Sequence, residues 1–146
     1  MPGLSAEAIK IFERGWCSHV DAIMPDGSLL GARSDVVGGQ PPGVQVRPAN
    51  YEVWDRLQIV SLQSSRFNES AFLDFLRAQI GKPYDHLAIL AFSAHRDWHN
   101  ADSWFCSELQ AAALEVCGWF PRKLAEASNE ITPRDLLLVI SPWVEN

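Results

Sequence analysis

Cys106 and His19 are the two side chains of this sequence best equipped for covalent chemistry. Cys106 stands in Trp104-Phe105-Cys106-Ser107-Glu108, at the beginning of a segment whose apolar residues Leu109, Ala112, Ala113 and Val116 recur at helical spacing. A thiol at a helix start faces unpaired backbone N–H groups and the positive end of the dipole, which favour its thiolate. The same N–H groups can stabilise the oxyanion formed when the sulfur attacks a carbonyl, so activation and transition-state binding come from one feature. His19, in Ser18-His19-Val20, falls in a stretch that reads as a strand, a rigid support from which an imidazole can act as general base. Singly, a buried core cysteine and a hydrogen-bonded strand histidine are the commoner uses of these residues. The pair is what points to acyl transfer.

A competing set is Cys17 with His19, and His95 with His99 at i, i+4 spacing, a metal-ligand geometry if that stretch were helical. His95-Arg96-Asp97-Trp98-His99 reads instead as a polar loop, and no Cys-x-x-Cys completes a zinc set. The expectation is therefore no metal and no cofactor.

The elements that must position the pair follow from pattern and punctuation. Ser5 to Arg14 has an N-cap residue and apolar Ala8, Ile9 and Phe12, predicting a short N-terminal helix closed by Gly15. Trp16–Met24 and Ser28–Arg33 predict a β-hairpin about the turn Pro25-Asp26-Gly27. Residues 34–43, rich in Gly and Pro, predict a mobile loop, followed by a brief strand at Val44-Gln45-Val46. Leu57–Leu62 predicts another strand, and Asn68 caps a helix with apolar face Phe72, Phe75, Leu76 and Ile80, ending at Gly81. Leu87–Phe92 fits helix or strand equally. A helix from Ser103 or Phe105 to Cys117 stops at Gly118, Thr132-Pro133 opens a last turn, and Leu136–Ile140 predicts a final strand.

At 146 residues the chain has the length of one domain, and 47% hydrophobic with 21% charged residues excludes a disordered or collagen-like chain. A net charge of −6 with no basic run argues against nucleic acid as a partner. No apolar stretch approaches the roughly 20 residues of a membrane span, and the charged residues Glu7, Lys10, Glu13 and Arg14 argue against a secretion signal. Three cysteines without repeated spacing argue against a disulfide framework and fit a reducing, cytoplasmic compartment. The fold class expected is α+β, a small antiparallel sheet packed against helices.

Three stretches resemble the circularly permuted papain-like hydrolases related to NlpC-type peptidases and lecithin retinol acyltransferase, most closely the YiiX-type branch. They are Ser18-His19-Val20 with Pro25-Asp26-Gly27; Gly81-Lys82-Pro83-Tyr84-Asp85; and Phe105-Cys106-Ser107-Glu108-Leu109 with Ile131-Thr132-Pro133-Arg134-Asp135-Leu136. They run in the permuted order, histidine strand before cysteine helix. The resemblance implies a permuted papain-like fold, Cys106 as nucleophile, His19 as its base, and Tyr84 near the site, in contact with substrate. In many relatives a third, imidazole-orienting group stands about a dozen residues after the histidine; here that neighbourhood reads Gly31-Ala32-Arg33. Asp21, two residues from His19 and on the same strand face, is the first substitute, with Ser34 and Asp35 as alternatives. Glu108 reads as structural, and the loop 34–43 is expected to border the cleft.

The function implied is a thiol hydrolase that cleaves a peptide or isopeptide amide, or an ester, through a Cys-His thioester mechanism. The alternative is a catalytically idle papain-like module that binds a peptide or protein partner in the same groove, motivated by the missing third residue.

Overall fold

A sharp turn at Pro25-Asp26-Gly27 organises the first half of the chain. Gly27 takes φ +86°, in the left-handed region that glycine enters without penalty. Its N–H donates to Met24 O at 2.9 Å, Met24 N–H donates to Ser28 O at 2.8 Å, and Asp26 Oδ1 accepts from Ser28 N–H. The computed structural model of the protein describes residues 8–14, 17–53, 56–62, 67–85, 106–120 and 131–140. On either side of the turn lie β2 (Cys17–Ile23) and β3 (Leu29–Arg33), preceded by β1 (Ala8–Arg14) and followed by β4 (Gly43–Arg47) and β5 (Arg56–Ser61). They form one antiparallel sheet in the order β4-β3-β2-β1-β5.

The expected N-terminal helix is instead β1, the strand between β2 and β5. Ala8 to Glu13 pairs on both sides, with Ile9 opposite Ala22 and Val60, and Ile11 opposite Val20 and Gln58. Apolar residues occur at i, i+1 and i+4 here, which both periods tolerate. Two flanking ladders, and the β preference of Ile9 and Ile11, decide for the strand.

Residues 34–43, expected as a loop, form a turn held by hydrogen bonds. Val37 and Gln40 exchange backbone hydrogen bonds of 3.2 Å around Gly38 and Gly39, whose φ angles of +63° and +76° suit the tight two-residue connection. The anchor is Arg47, which is only 2% exposed. Its guanidinium donates to Gly31 O, Val37 O, Pro41 O and Gly43 O over 3.0–3.4 Å. One buried cation thus adds a donor to each of four carbonyls of β3, the turn and the start of β4.

Among the described residues, three helices pack with the sheet. α1 (Glu69–Gln79) begins as expected at Asn68, whose side chain accepts from Ala71 N–H at 3.0 Å. Past its end, Gly81 N–H donates to Val44 O and Val44 N–H to Lys82 O, tying the Gly81–Lys82 turn to β4. α2 (Cys106–Val116) is buried without interruption from Cys106 to Leu114, the signature of a helix surrounded by protein. Its C-terminus is set by Gly118 at φ +73° and by Trp119, whose Nε1 donates to Leu62 O at 3.1 Å.

The segment expected as a last strand is α3 (Pro133–Ile140). Thr132 Oγ1 accepts from Asp135 N–H while Asp135 Oδ2 accepts from Thr132 N–H, each at 3.1 Å. This reciprocal cap, with Pro133 at the first helical position, nucleates a helix that the run Leu136–Ile140 conceals. Leu87–Phe92 lies outside the described residues. The fold class is α+β. Val20, Ala22, Leu30, Val44 and Val60 of the sheet share one core with Phe72, Leu76, Leu109, Leu114 and Leu136 of the helices. No helix among the described residues is long and apolar enough to cross a membrane.

Candidate active site

β2 alternates strictly. Val20 and Ala22 turn to the main core, and His19, Asp21 and Ile23 take the other face. This alternation places the His19 ring and the Asp21 carboxylate side by side. His19 Nε2 donates to Asp21 Oδ1 at 2.8 Å, with both residues buried, at 8% and 1% exposure. The bond commits Nε2 as the donor nitrogen and leaves Nδ1 to face a second partner. The Cys106 side chain, on the first residue of α2, comes close enough to the ring to act on it together with Asp21. Cys106, His19 and Asp21, drawn from a strand and a helix 87 positions apart in the sequence, are therefore brought together.

Asp21 holds the orienting place, not Ser34 or Asp35. Ser34 is exposed, and Asp35 is exposed and engaged by Arg33, with Nε to Oδ1 and a second guanidinium nitrogen to Oδ2 at 2.8 Å each. The vacancy at Gly31 has a direct physical reason. The β2–β3 ladder runs from Ile23–Leu29 to Ala22–Leu30, so Asp21 and Gly31 would form the next pair. A Cβ built on Gly31 would stand 1.8 Å from Asp21 Oδ1 and 2.9 Å from its Cγ. The carboxylate occupies the volume that any side chain at 31 would need.

The electrostatics follow from burial against charge. Burial opposes protonation of His19, but the charge and hydrogen bond of Asp21, with smaller help from Cys106, outweigh it and push the ring up to about 10. Burial likewise opposes ionisation of Asp21. His19, the Tyr51 hydroxyl and the charge of Arg47 overcome it and hold the carboxyl below its ordinary value. Beside this coupled pair lies Cys106, which is 5% exposed.

The cysteine helix is itself fixed by polar groups that the sequence did not advertise. Ser107 Oγ donates to Ile131 O at 2.6 Å, and Gln110 Nε2 donates to Leu30 O at 3.0 Å, next to the Asp21–Gly31 contact. Both residues are wholly buried, as is Glu108. Bonds of this kind, to backbone on two sides of α2, set where the sulfur lies. Tyr51 also escaped the sequence reading; its hydroxyl donates to Asp21 Oδ2 at 2.6 Å. A signal was present for Gly31 and Asp21, since counting the hairpin register back from Pro25-Asp26-Gly27 makes them cross-strand neighbours. Nothing local could have found Tyr51, which lies 30 residues away from its partner.

Tyr84 is half-buried, its ring packed against the main core just after the turn that pairs with β4. The described structure places it in that packing role; contact with substrate is an expectation only. His95 and His99 lie outside the described residues, as does Phe105, and the side chain of Cys17 is likewise not described. Cys106 and Cys117 are free thiols. Comparisons of the chain with protein-family models, with curated proteins and with solved structures found no match.

Proposed function

We propose that the protein is a thiol hydrolase that cleaves an amide, peptide or isopeptide, or an ester, through a covalent thioester. The observation that carries this reading is the grouping of Cys106, His19 and Asp21, in which one imidazole is bonded to a buried carboxylate and lies beside the Cys106 side chain. The resemblance of the histidine strand and cysteine helix to permuted papain-like hydrolases points the same way. Cys106 gives its proton to His19 as the sulfur adds to the substrate carbonyl carbon and the C=O electron pair moves to oxygen. In this scheme backbone N–H groups in the first turn of α2 serve as donors to that oxyanion. The tetrahedral adduct then expels the amine or alcohol, which takes its proton from the His19 imidazolium. Water, deprotonated by His19, attacks the thioester, releases the acid and restores the thiol.

Asp21 does not touch the substrate in this scheme. It fixes the tautomer of His19 through Nε2 and stabilises the imidazolium, so that Nδ1 works on the sulfur side. The idle-module reading drew on the lack of a carboxylate or imidazole at 31–33, and Asp21, which fills the same space, weakens that support. Tyr84 and the pinned turn 34–43 are the proposed substrate contacts, and the free thiols Cys106 and Cys117 suit the reducing cytoplasm.

The test is a panel of peptide, isopeptide and ester substrates assayed with the wild-type protein and with Cys106→Ala as blank. Turnover of one class by the wild type, lost in Cys106→Ala while its thermal unfolding stays cooperative, is the expected outcome. A panel with no difference between the two proteins would contradict the proposal.

A further inference from the structure

We propose that Tyr51 is a positioning residue of the thiol site, its hydroxyl fixing the second oxygen of Asp21 and thereby the carboxylate plane that orients His19. This rests on Cys106 and His19 being the reacting pair. The two oxygens of Asp21 are divided between two donors, Oδ1 to His19 Nε2 at 2.8 Å and Oδ2 to Tyr51 OH at 2.6 Å. The second distance is that of a charge-assisted O–H···O bond. The terminal torsion of an aspartate is broad, so a carboxylate with one donor can swing about its Cβ–Cγ bond, whereas donors on both oxygens set its plane.

Tyr51 is itself held in place from several sides. Its N–H donates to Pro48 O at 3.0 Å, closing a turn after β4. The Arg33 guanidinium lies 5.5 Å from its ring centroid, and Ile23 and Leu29 pack with the ring. Arg33 in turn is fixed by Asp35 and by Glu52, each at 2.8 Å. Space is left for the residue, since a Cβ on Gly38 would come within 2.9 Å of Tyr51 Cβ. A ring clamped this firmly delivers its hydroxyl to one point.

The charged and titratable groups around this contact are few. Asp21 faces His19 on its own strand, Tyr51 from the turn after β4 and Arg47 on β4, with Cys106 of α2 reaching it through His19. Tyr51 faces Arg33 of β3, beyond which lie Asp35 and Glu52. Burial and the Asp21 charge push the phenol far above its ordinary value, so it remains a donor at every pH where the site works. Removing the hydroxyl leaves a buried carboxylate with one bond. Asp21 then takes up its proton at higher pH, and a loosened Asp21 releases the His19 proton at lower pH.

The test is the rate of iodoacetamide alkylation at Cys106, resolved from Cys17 and Cys117 by peptide mass, as a function of pH. In the wild type the rate steps once in acid and once where His19 deprotonates, near pH 10. In Tyr51→Phe the acid step moves up by about one pH unit, making labelling about tenfold slower below it, and the alkaline step moves down. In an Asp21→Asn background the same substitution adds nothing further. Unmoved steps, even with a lower overall rate, would assign Tyr51 to packing alone and overturn the proposal. Should Tyr51→Phe not fold, fluorotyrosine at 51, isosteric and a stronger donor, is expected to move the acid step down; an unmoved step overturns the proposal equally. A wild type in which Cys106 reacts no faster than Cys117, and independently of His19, overturns this inference together with the proposed function.

Discussion

Asp21→Asn keeps the size and shape of the side chain but removes the charge that holds the proton on His19. In the wild type that charge and its hydrogen bond overcome burial and lift the ring from 6.5 to about 10. Without the charge, burial acts almost unopposed, and the imidazole is expected to titrate below 6.5. The difference exceeds three pH decades. At about 1.4 kcal/mol per decade this is about 5 kcal/mol of preference for the imidazolium, an upper figure because Asp21 and His19 titrate together. The assay is an NMR titration of the histidine ring resonances in both proteins, with His19 assigned by its loss in His19→Gln. A His19 that titrates within half a unit of the same pH in both proteins would refute the electrostatic account, and with it the role given to Asp21.

Three further outcomes follow from particular contacts. Gly31→Ala puts a Cβ where Asp21 Oδ1 lies, 1.8 Å away; it is expected to cost about 1–3 kcal/mol in denaturant melts and to abolish hydrolysis. In an Asp21→Ala background the stability cost should largely vanish. Arg47→Met removes a buried donor from four carbonyls, which is expected to cost about 3 kcal/mol or more and to open residues 34–43 to limited proteolysis. Stability should also follow the site's protonation. His19, raised in the folded state, contributes fully below pH 6.5 and loses its contribution as pH rises toward 10, while Asp21, lowered, contributes above 3.8 and fades as pH falls. The melting temperature is therefore expected to peak between these limits, with an alkaline slope that Asp21→Asn removes.

What could be read from the sequence was whatever local physics decides. The Asn68 cap, the left-handed glycines at 81 and 118 and the Pro25-Asp26-Gly27 turn each act over four residues or fewer, and each delivered its element near the expected bounds. Cys106 at a helix start and His19 on a strand were legible for the same reason. β1 was misread because pairing on both sides, with partners up to 53 residues away, outweighs its own ambiguous period. α3 was misread because a Leu- and Ile-rich run imitates a strand when the Thr132–Asp135 cap is overlooked. Loop 34–43 owes its order to Arg47, whose charge in a strand pattern signals exposure, whereas the fold buries it among carbonyls. Around the thiol the division is the same. Asp21 beside His19 follows from alternation along one strand, and Tyr51, Ser107 and Gln110 depend on packing between distant elements.

Everything proposed for this protein requires the Cys106 sulfur and the His19 ring to meet as reacting neighbours in solution. 1,3-Dibromoacetone, whose two carbons alkylate in sequence a thiolate and an imidazole held close together, measures this directly. Digestion and mass analysis should recover the peptide of Cys106 joined to that of His19, and His19→Ala should yield Cys106 alkylated without the bridge. Wild-type protein that gives only unbridged Cys106, or bridges from Cys106 to other residues, would contradict the account.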